Sequence, residues 1–169
     1  MIETKRLLLK EYDESCIQKA HENFFCEKET AKYTLWRPTE SPKDVKDKLE
    51  YWLYEVKVSI LWLIYQKDNN EPIGFISGDE TSTGVYDNIG IALGTKYINK
   101  GYGSEVMLAF INHLKNNGIK EVYYSHFKEN IASENLALKF GFKKYKEGSR
   151  TRRYDNKTFI EIHYKLNLK

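Results

Sequence analysis

The sequence predicts a mixed α/β (α+β) fold: a twisted, mainly antiparallel sheet of about seven strands with helices on both faces. Segments of alternating apolar residues, typical of strands, are interspersed with segments in which apolar residues recur every three or four positions, typical of helices. Hairpin-like strand pairs favour antiparallel pairing, whereas the strand–helix–strand unit over 85–127 predicts one parallel pair.

The first part of the chain predicts one strand followed by helices. Residues 2–12 read as the strand, and Asp13 can cap the helix that follows. A second helical segment covers 27–33. Ser41 is a suitable N-cap for a third helix, with Pro42 at its first position. The apolar face of that helix consists of Val45, Leu49, Trp52, Leu53 and Val56.

The rest of the chain predicts six strands and two helices. The polar segment 68–71 is turn-prone and joins the first two of these strands into a hairpin. Gly118 and Gly141 mark the ends of the two helices. The strands are expected at 59–66, 72–79, 85–93, 122–127, 142–146 and 159–166, and the helices at 102–116 and 131–140.

Length and charge restrict the class of protein. The 169 residues match one domain, and no linker or repeat divides 1–169. The formal net charge of +3, from 27 Lys and Arg against 24 Asp and Glu, is too small to indicate a nucleic-acid-binding protein. The local excess of cations over 139–157 suits an anionic ligand or partner, or equally a solvated strand and turn.

Targeting and metal-binding signals are not apparent. No apolar run approaches the ~20 residues that a membrane-spanning helix needs, and no secretory signal precedes the first strand. Cys16 and Cys26 do not have the spacing of zinc ligands. We therefore expect reduced thiols, no metal, no membrane association and a cytoplasmic protein.

The most informative segment joins the strand 85–93 to the helix 102–116. Its Gly101 and Gly103 flank the start of that helix, where the first N–H groups lack partners and the helix dipole is positive. Glycines let the backbone approach phosphate oxygens closely, so the turn is suited to an anion. A Rossmann fingerprint does not fit, because Val106 stands where its third glycine belongs, and the chain contains no Walker loop.

This turn resembles the acetyl-CoA pyrophosphate loop of the GNAT superfamily of N-acetyltransferases, Arg/Gln-x-x-Gly-x-Gly/Ala, although Ile98 replaces the first polar residue. Residues 130–142 are similar to the family's Asn-x-x-Ser/Ala…Lys-x-Gly-Phe segment. The segments 2–9, 72–76 and 153–161 resemble the ribosomal-protein N-terminal acetyltransferase (RimJ/RimL-type) branch. Spermidine acetyltransferases look much the same, and the resemblance spans nearly the whole chain.

The resemblance implies a GNAT-like acyl-CoA N-acyltransferase fold in which the strands 85–93 and 122–127 splay apart around the arm of acetyl-CoA. An N–H of the first strand would hold the thioester carbonyl. The acceptor would be an amine: a peptide N-terminus, a polyamine or an aminoglycoside-like compound. The protein would be a monomer or a homodimer. The implied acetyl-CoA-binding residues are Ile91, Ala92, Leu93, Asn99, Lys100, Gly101, Tyr102, Gly103, Ser104, Asn130 and Asn135.

The catalytic candidates are Ser133, Asn130 and Glu161. An alkylamine has a pKa of ~10.4, so a carboxylate must help remove its proton. Many family members place a tyrosine acid at the position of Ala137, which leaves Ser133 as the nearest hydroxyl. Asn130 can contact the pantetheine arm or cap a helix, and Ser133 can pack or cap. The candidate carboxylates are Asp79, Glu80, Asp87 and Glu161.

Three alternatives accompany this interpretation. The departures at Ile98 and Ala137 are compatible with a non-catalytic acetyl-CoA-binding module. The basic run over 139–157 permits, less well, a nucleic-acid-binding protein. An O-acetyltransferase would need a positioned histidine, and His126 is the one nearest the expected cleft. The acceptor site is expected to be lined by Tyr33, Trp36, Arg37, Pro38, Trp52 and Tyr54.

Overall fold

The protein, described over residues 1–168 by a computed structural model, is built on one eight-stranded sheet of order β1-β2-β3-β4-β5-β6-β8-β7. Neighbouring strands are antiparallel except for β5 and β6, which are parallel. The predicted mixed, mainly antiparallel sheet is confirmed. The strands are β1 (Ile2–Glu3), β2 (Leu7–Lys10), β3 (Ile60–Gln66), β4 (Pro72–Ser82), β5 (Val85–Leu93), β6 (Glu121–Phe127), β7 (Lys143–Arg152) and β8 (Lys157–Asn167).

Within residues 1–168, five α-helices accompany the sheet: α1 (Ile17–Ala20), α2 (Lys28–Ala31), α3 (Pro42–Glu50), α4 (Tyr102–Asn116) and α5 (Ile131–Lys139). α1 and α3 each continue into a π-helical turn, His21–Phe25 and Tyr51–Val56. Short 3-10 turns cover Glu14–Cys16 and Thr95–Tyr97. In the part of the chain that the structure describes, no helix is both long and apolar enough to cross a membrane.

The predicted helix starts are confirmed by their caps. The Asp13 carboxylate accepts a hydrogen bond from the Ser15 N–H at 2.9 Å. Ser41 and Asp44 form a reciprocal capping box at the start of α3, which satisfies two backbone donors that the helix itself cannot pair.

The single strand expected over 2–12 is wrong. The segment instead folds into the two antiparallel strands β1 and β2, which is why the sheet has eight strands. Thr4 makes the reversal: its N–H donates to the Leu7 carbonyl and its Oγ1 accepts from the Leu7 N–H, both at 2.9 Å. A threonine hydroxyl that bonds nearby backbone stabilises a turn at the expense of a continuous strand.

Other boundaries differ in extent. The helix expected over 27–33 is limited to α2, and the last hairpin is longer than 142–146 and 159–166, because pairing continues to Arg152 and Lys157. Val56, assigned to the apolar face behind Ser41, is exposed at the end of the π-helical turn.

The two faces of the sheet carry separate apolar cores, because successive strand residues point to opposite sides. On one face, α4 packs Val106, Met107 and Phe110 against the sheet, all fully buried. On the other face, α1, α3 and the first π-helical turn pack around Phe25 and Phe75, whose rings stack at 5.7 Å. Both faces of the sheet are therefore covered by packed helices.

Candidate functional site

The parallel strands β5 and β6 are paired at only two positions, Val85↔Glu121 and Tyr86↔Val122. Both strands continue beyond these pairs, to Leu93 and Phe127, without pairing to each other. The sheet therefore opens into a wedge between them. Backbone N–H and C=O groups along the wedge have no ladder partner across it and can bind an inserted ligand.

A β-bulge accompanies this separation. Ser77 pairs with Gly90 and Asp79 with Asp87, so β5 places two residues, Asn88 and Ile89, opposite one residue of β4. Asn88 has a left-handed conformation with φ 55°. A bulge bends its strand and increases the local twist, which turns the later part of β5 away from β6.

Extending the parallel register past the bulge brings Ile91 and Ala92 to the level of Phe127, toward the open end of the wedge. Phe127 pairs with Glu161 on β8. Ile91 packs on the α4 side of the sheet and Ala92 on the α1 side, so the backbone between them lies along the wedge itself.

The start of α4 is built to attract an anion. Its N-cap is Gly101, which has no capping side chain, so the N–H groups of Tyr102, Gly103 and Ser104 are left without a side-chain acceptor. The turn before it contains two left-handed residues, Asn99 with φ 58° and Gly101 with φ 80°. Positive charge from the helix dipole adds to the attraction.

The glycines of this turn are not equivalent. A Cβ on Gly103 would lie 3.9 Å from Leu93 Cδ1, an ordinary contact, whereas Gly101 needs its positive φ. Gly103 therefore leaves open space beside the helix N–H groups without being required by the protein's own packing. This space is what a phosphate group approaching the backbone needs, so the turn fits a pyrophosphate.

Cationic side chains surround the same turn. Lys139, at the end of α5, donates to Ser104 Oγ at 3.0 Å. Arg6 donates from Nη1 to the Lys100 carbonyl at 2.9 Å and lies over the Tyr102 ring at 4.3 Å. Ile98, which replaces the Arg or Gln of the family's loop pattern, is exposed.

Asn130 caps α5: its Oδ1 accepts from the Ser133 N–H at 3.2 Å, which confirms its N-cap interpretation. Ser133 is half-buried in the first turn of α5, and Asn135 is exposed on that helix. Burial raises the pKa of Tyr124, on the adjacent β6, to about 12, and the nearby Ser133 opposes this rise. Tyr124 is thus a protonated hydroxyl next to Ser133, and the sequence did not single it out.

Glu161 is a buried carboxylate on the opposite face of the sheet. Its Oε1 accepts from Ser125 Oγ at 3.2 Å and from Arg150 Nε at 3.1 Å. His163 Nε2 lies 3.4 Å from its Oε2. The sequence identified Glu161 as a candidate but not Arg150 or His163, which reach it only through the β6–β8 and β7–β8 pairings.

The three other candidate carboxylates already bind the backbone or side chains of their own hairpin region. Asp79 accepts from the Ser59 N–H at 3.1 Å, and Glu80 accepts from the Gly84 N–H at 3.0 Å. Asp87 accepts from the neighbouring Asn88 N–H at 2.6 Å. Glu161 is the one of the four that is buried and lies at the level of Ile91 and Ala92.

His126 lies on the α5 side of β6. Its Nδ1 is 2.9 Å from the Phe127 carbonyl, and its ring stacks on Tyr164 with centroids 5.3 Å apart. Its Nε2 is buried without a hydrogen-bond partner within residues 1–168. These contacts make His126 part of the core on this face.

An aromatic groove of about 520 Å³ opens on the α1 and α3 side. Four of the six residues expected at an acceptor site line it: Trp36, Arg37, Pro38 and Trp52. The other two, Tyr33 and Tyr54, do not. Lys48, which was not anticipated, places its ammonium 5.6 Å from the Trp36 ring and 5.8 Å from the Trp52 ring. Burial, together with the Arg37 charge, lowers the pKa of Lys48.

Phe75 contacts both a residue of the groove and a residue of β5. This ring lies 5.4 Å from that of Trp52, and Phe75 pairs with Ala92 on β5. The buried Phe75 side chain therefore lies between the groove and this stretch of β5.

Comparison with solved structures reveals a shared fold. A GNAT-family acetyltransferase from Bacillus anthracis is 20% identical, with a TM-score of 0.83 over 98% of this chain and 97% of that one. RimL, a ribosomal L7/L12 alpha-N-protein acetyltransferase solved with coenzyme A, is 18% identical, with a TM-score of 0.82 over 98% and 96%. A spermidine N-acetyltransferase from Vibrio cholerae, solved with CoA and spermine, is 12% identical, with a TM-score of 0.78 over 96% and 95%.

Comparison by sequence leads from fold to family. No curated protein matches the chain significantly. The profile of the acetyltransferase (GNAT) domain, however, matches residues 6–143, which include the wedge between β5 and β6, the glycine turn and α5. The chain therefore belongs to the GNAT acetyltransferase family.

Proposed function

We propose that the protein transfers an acetyl group from acetyl-CoA to a primary amine by direct attack within a ternary complex. The observation that carries this proposal is the wedge: β5 and β6 part after two residue pairs, directly before the glycine-capped start of α4. The pyrophosphate would bind the N–H groups at Gly101–Ser104 and the arm would lie along Ile91–Leu93. Asn130 and Asn135 would contact the arm from α5.

The proposed catalytic groups flank the wedge from opposite faces. Ser133 lies on the α5 side, where the donor would enter, and Glu161 lies on the side of the aromatic groove. This separation supports a mechanism in which donor and acceptor bind together and the amine attacks without a covalent enzyme intermediate. The protein's main contribution would be to hold the two reactants in line.

A protonated amine must lose two protons, one before it attacks and one after the N–C bond forms, while the sulfur gains one. Glu161 would accept the amine proton, directly or through water, while backbone N–H groups of β5 stabilise the negative charge on the thioester oxygen. The thiol of the product has an ordinary pKa of ~8.5, so the sulfur can leave as thiolate and take a proton from Ser133 or from water. Tyr124 can supply a hydrogen bond to Ser133 during that step.

The chain's resemblance to the RimJ/RimL-type branch makes a peptide N-terminus one proposed acceptor. The fold is also similar to that of an enzyme solved with spermine, so polyamines and aminoglycoside-like amines also belong in the proposal. We further propose that residues 1–169 work as one domain, as a cytoplasmic monomer or homodimer, without metal and without nucleic-acid or membrane partners.

Incubation with acetyl-CoA and a mixed panel of amines and alcohols tests the proposal. We expect amide products with at least one amine, identified by mass spectrometry, together with stoichiometric release of CoA. Turnover should rise with pH, because a protonated amine has no lone pair and its pKa is ~10.4. Formation of esters alone, abolished by His126→Ala, would contradict the assignment to amines.

The second candidate function is a non-catalytic acetyl-CoA-binding module. Exposed Ile98 and fully buried Ala137 favour it, since they stand where the family has a polar contact and often a tyrosine acid. Binding of acetyl-CoA without thiol release across the whole panel would support the module and refute the enzyme.

Gly103→Val tests the position of the donor. The new Cβ fits against Leu93, but the branched side chain would occupy the space proposed for the phosphates. We expect a folded protein that has lost measurable affinity for acetyl-CoA by calorimetry. Gly94→Val is the contrast, because a Cβ there would lie 2.0 Å from the Asn23 carbonyl oxygen and should disrupt the fold itself. Unchanged affinity in folded Gly103→Val would show that the site is misplaced.

Glu161→Gln and Ser133→Ala test the two proton steps as a pair. Loss of the base in Glu161→Gln should reduce turnover by ~10²-fold or more. The remaining turnover should increase with pH in proportion to the unprotonated fraction of the amine. Loss of Ser133 should cost less than ~10-fold, because the thiolate can leave unaided. Arg150→Gln is the control, since it removes a partner of Glu161 but keeps the carboxylate. Turnover near the wild-type level in Glu161→Gln would show that Glu161 is not the base.

A further inference from the structure

We propose that Arg6, between β1 and β2, holds the pyrophosphate turn of the acetyl-CoA site and donates to the pyrophosphate the hydrogen bond that the turn itself lacks at Ile98. This inference rests on the function proposed above. It assigns a positioning and phosphate-binding role to a residue 92 positions before Ile98 in the sequence, on a different part of the fold.

Arg6 is fixed to the turn and to the first turn of α4 by four contacts. Its Nε donates to Glu105 Oε2 at 2.7 Å, and its backbone N–H donates to Glu105 Oε1 at 2.8 Å. Its Nη1 donates to the Lys100 carbonyl at 2.9 Å, and its guanidinium lies over the Tyr102 ring at 4.3 Å. Arg6 therefore joins the residue before Gly101, the first residue of α4 and the fourth.

One nitrogen of the guanidinium remains available. Nη2 lies 3.4 Å from the Cβ position of Gly101, and within residues 1–168 it donates no hydrogen bond. The Arg6 side chain is 41% exposed, so an anion can reach it from solvent. A guanidinium whose other nitrogens are already held presents its remaining donors to a phosphate with little loss of side-chain entropy.

Arg6 also neutralises a charge that would oppose the cofactor. Burial raises the pKa of Glu105, but hydrogen bonds from Thr4 and Arg6 and the Arg6 charge outweigh it, so the pKa is lowered overall. Glu105 is thus ionised at neutral pH in the first turn of α4, close to the proposed phosphates. Without Arg6, this carboxylate would repel them.

Ile98 supports the same assignment by its exposure. Its side chain is 47% exposed, so it does not serve the core. At a position where the family pattern has Arg or Gln, an exposed apolar residue removes a polar contact from the turn. The Arg6 guanidinium, which contacts the same turn at Lys100 and Tyr102, can replace that contact.

Arg6→Gln tests the inference by calorimetry with acetyl-CoA. We expect affinity to fall about tenfold or more, the size of a lost charge-assisted hydrogen bond. The fold should persist, because Thr4 Oγ1 at 2.6 Å and the residue-6 backbone N–H still hold Glu105. Turnover with S-acetylpantetheine, a donor without pyrophosphate, should stay within twofold of wild type, whereas a purely structural role would lower turnover with both donors.

Matched variants sharpen the result. Lys5→Gln removes a neighbouring exposed cation and should leave acetyl-CoA affinity unchanged. Arg6→Lys, which keeps the charge but not the fork, should be intermediate and serves if Arg6→Gln does not fold. Adding Ile98→Arg to Arg6→Gln should restore most of the affinity. Wild-type affinity in Arg6→Gln, alongside loss in Gly103→Val, would overturn this inference and leave the proposed function standing. Failure of the wild-type protein to bind acetyl-CoA would overturn both.

Discussion

β5 and β6 are joined by two residue pairs, and the candidate site depends on how short that contact is. The pairs at the start of each strand keep the sheet continuous, so α4 and α5 are held on one face by a shared core. Beyond them, the bulge at Asn88 and Ile89 twists β5 away and exposes unpaired backbone inside the fold. A fully paired β5–β6 ladder would have the same core and no place for a ligand arm.

The wedge and the glycine turn form one structural unit because β5 leads into the turn and the turn leads into α4. The N-terminal segment then secures this unit from outside through Thr4, Arg6 and their contacts with Glu105. Gln66 of β3 adds a hydrogen bond to the Tyr102 hydroxyl at 3.0 Å. The start of α4 is thus fixed to the connection between β1 and β2 and to the end of β3, which gives the anion-binding N–H groups a constant position relative to the wedge.

Local patterns predicted the parts of the fold that local forces determine. The bounds of β5 and α4 follow from alternation, helical spacing and the glycine turn, and the Asp13 and Ser41 caps follow from side chains that bond nearby backbone. The split of 2–12 was missed because Thr4 can extend a strand or cap a turn with similar ease.

Contacts between residues distant in sequence could not be predicted in this way. Glu161 was named as a catalytic candidate but could not be ranked firmly above the other three carboxylates until strand register placed it beside Phe127, Ser125 and Arg150. Arg6 gave no signal beyond its charge, because its partners lie more than 90 residues away. Tyr124 was not singled out because only the packing of β6 against α5 brings it close to Ser133.

The central claim is that one ligand occupies both the start of α4 and the wedge between β5 and β6. Amide hydrogen exchange, followed by mass spectrometry with and without acetyl-CoA, tests it directly, since N–H groups that bind a ligand exchange more slowly. The account predicts that acetyl-CoA slows exchange at Tyr102–Ser104 and at Ile91–Leu93 together, while 3′,5′-ADP, which lacks the arm, leaves Ile91–Leu93 unchanged. Binding of acetyl-CoA with no protection in either segment would contradict it.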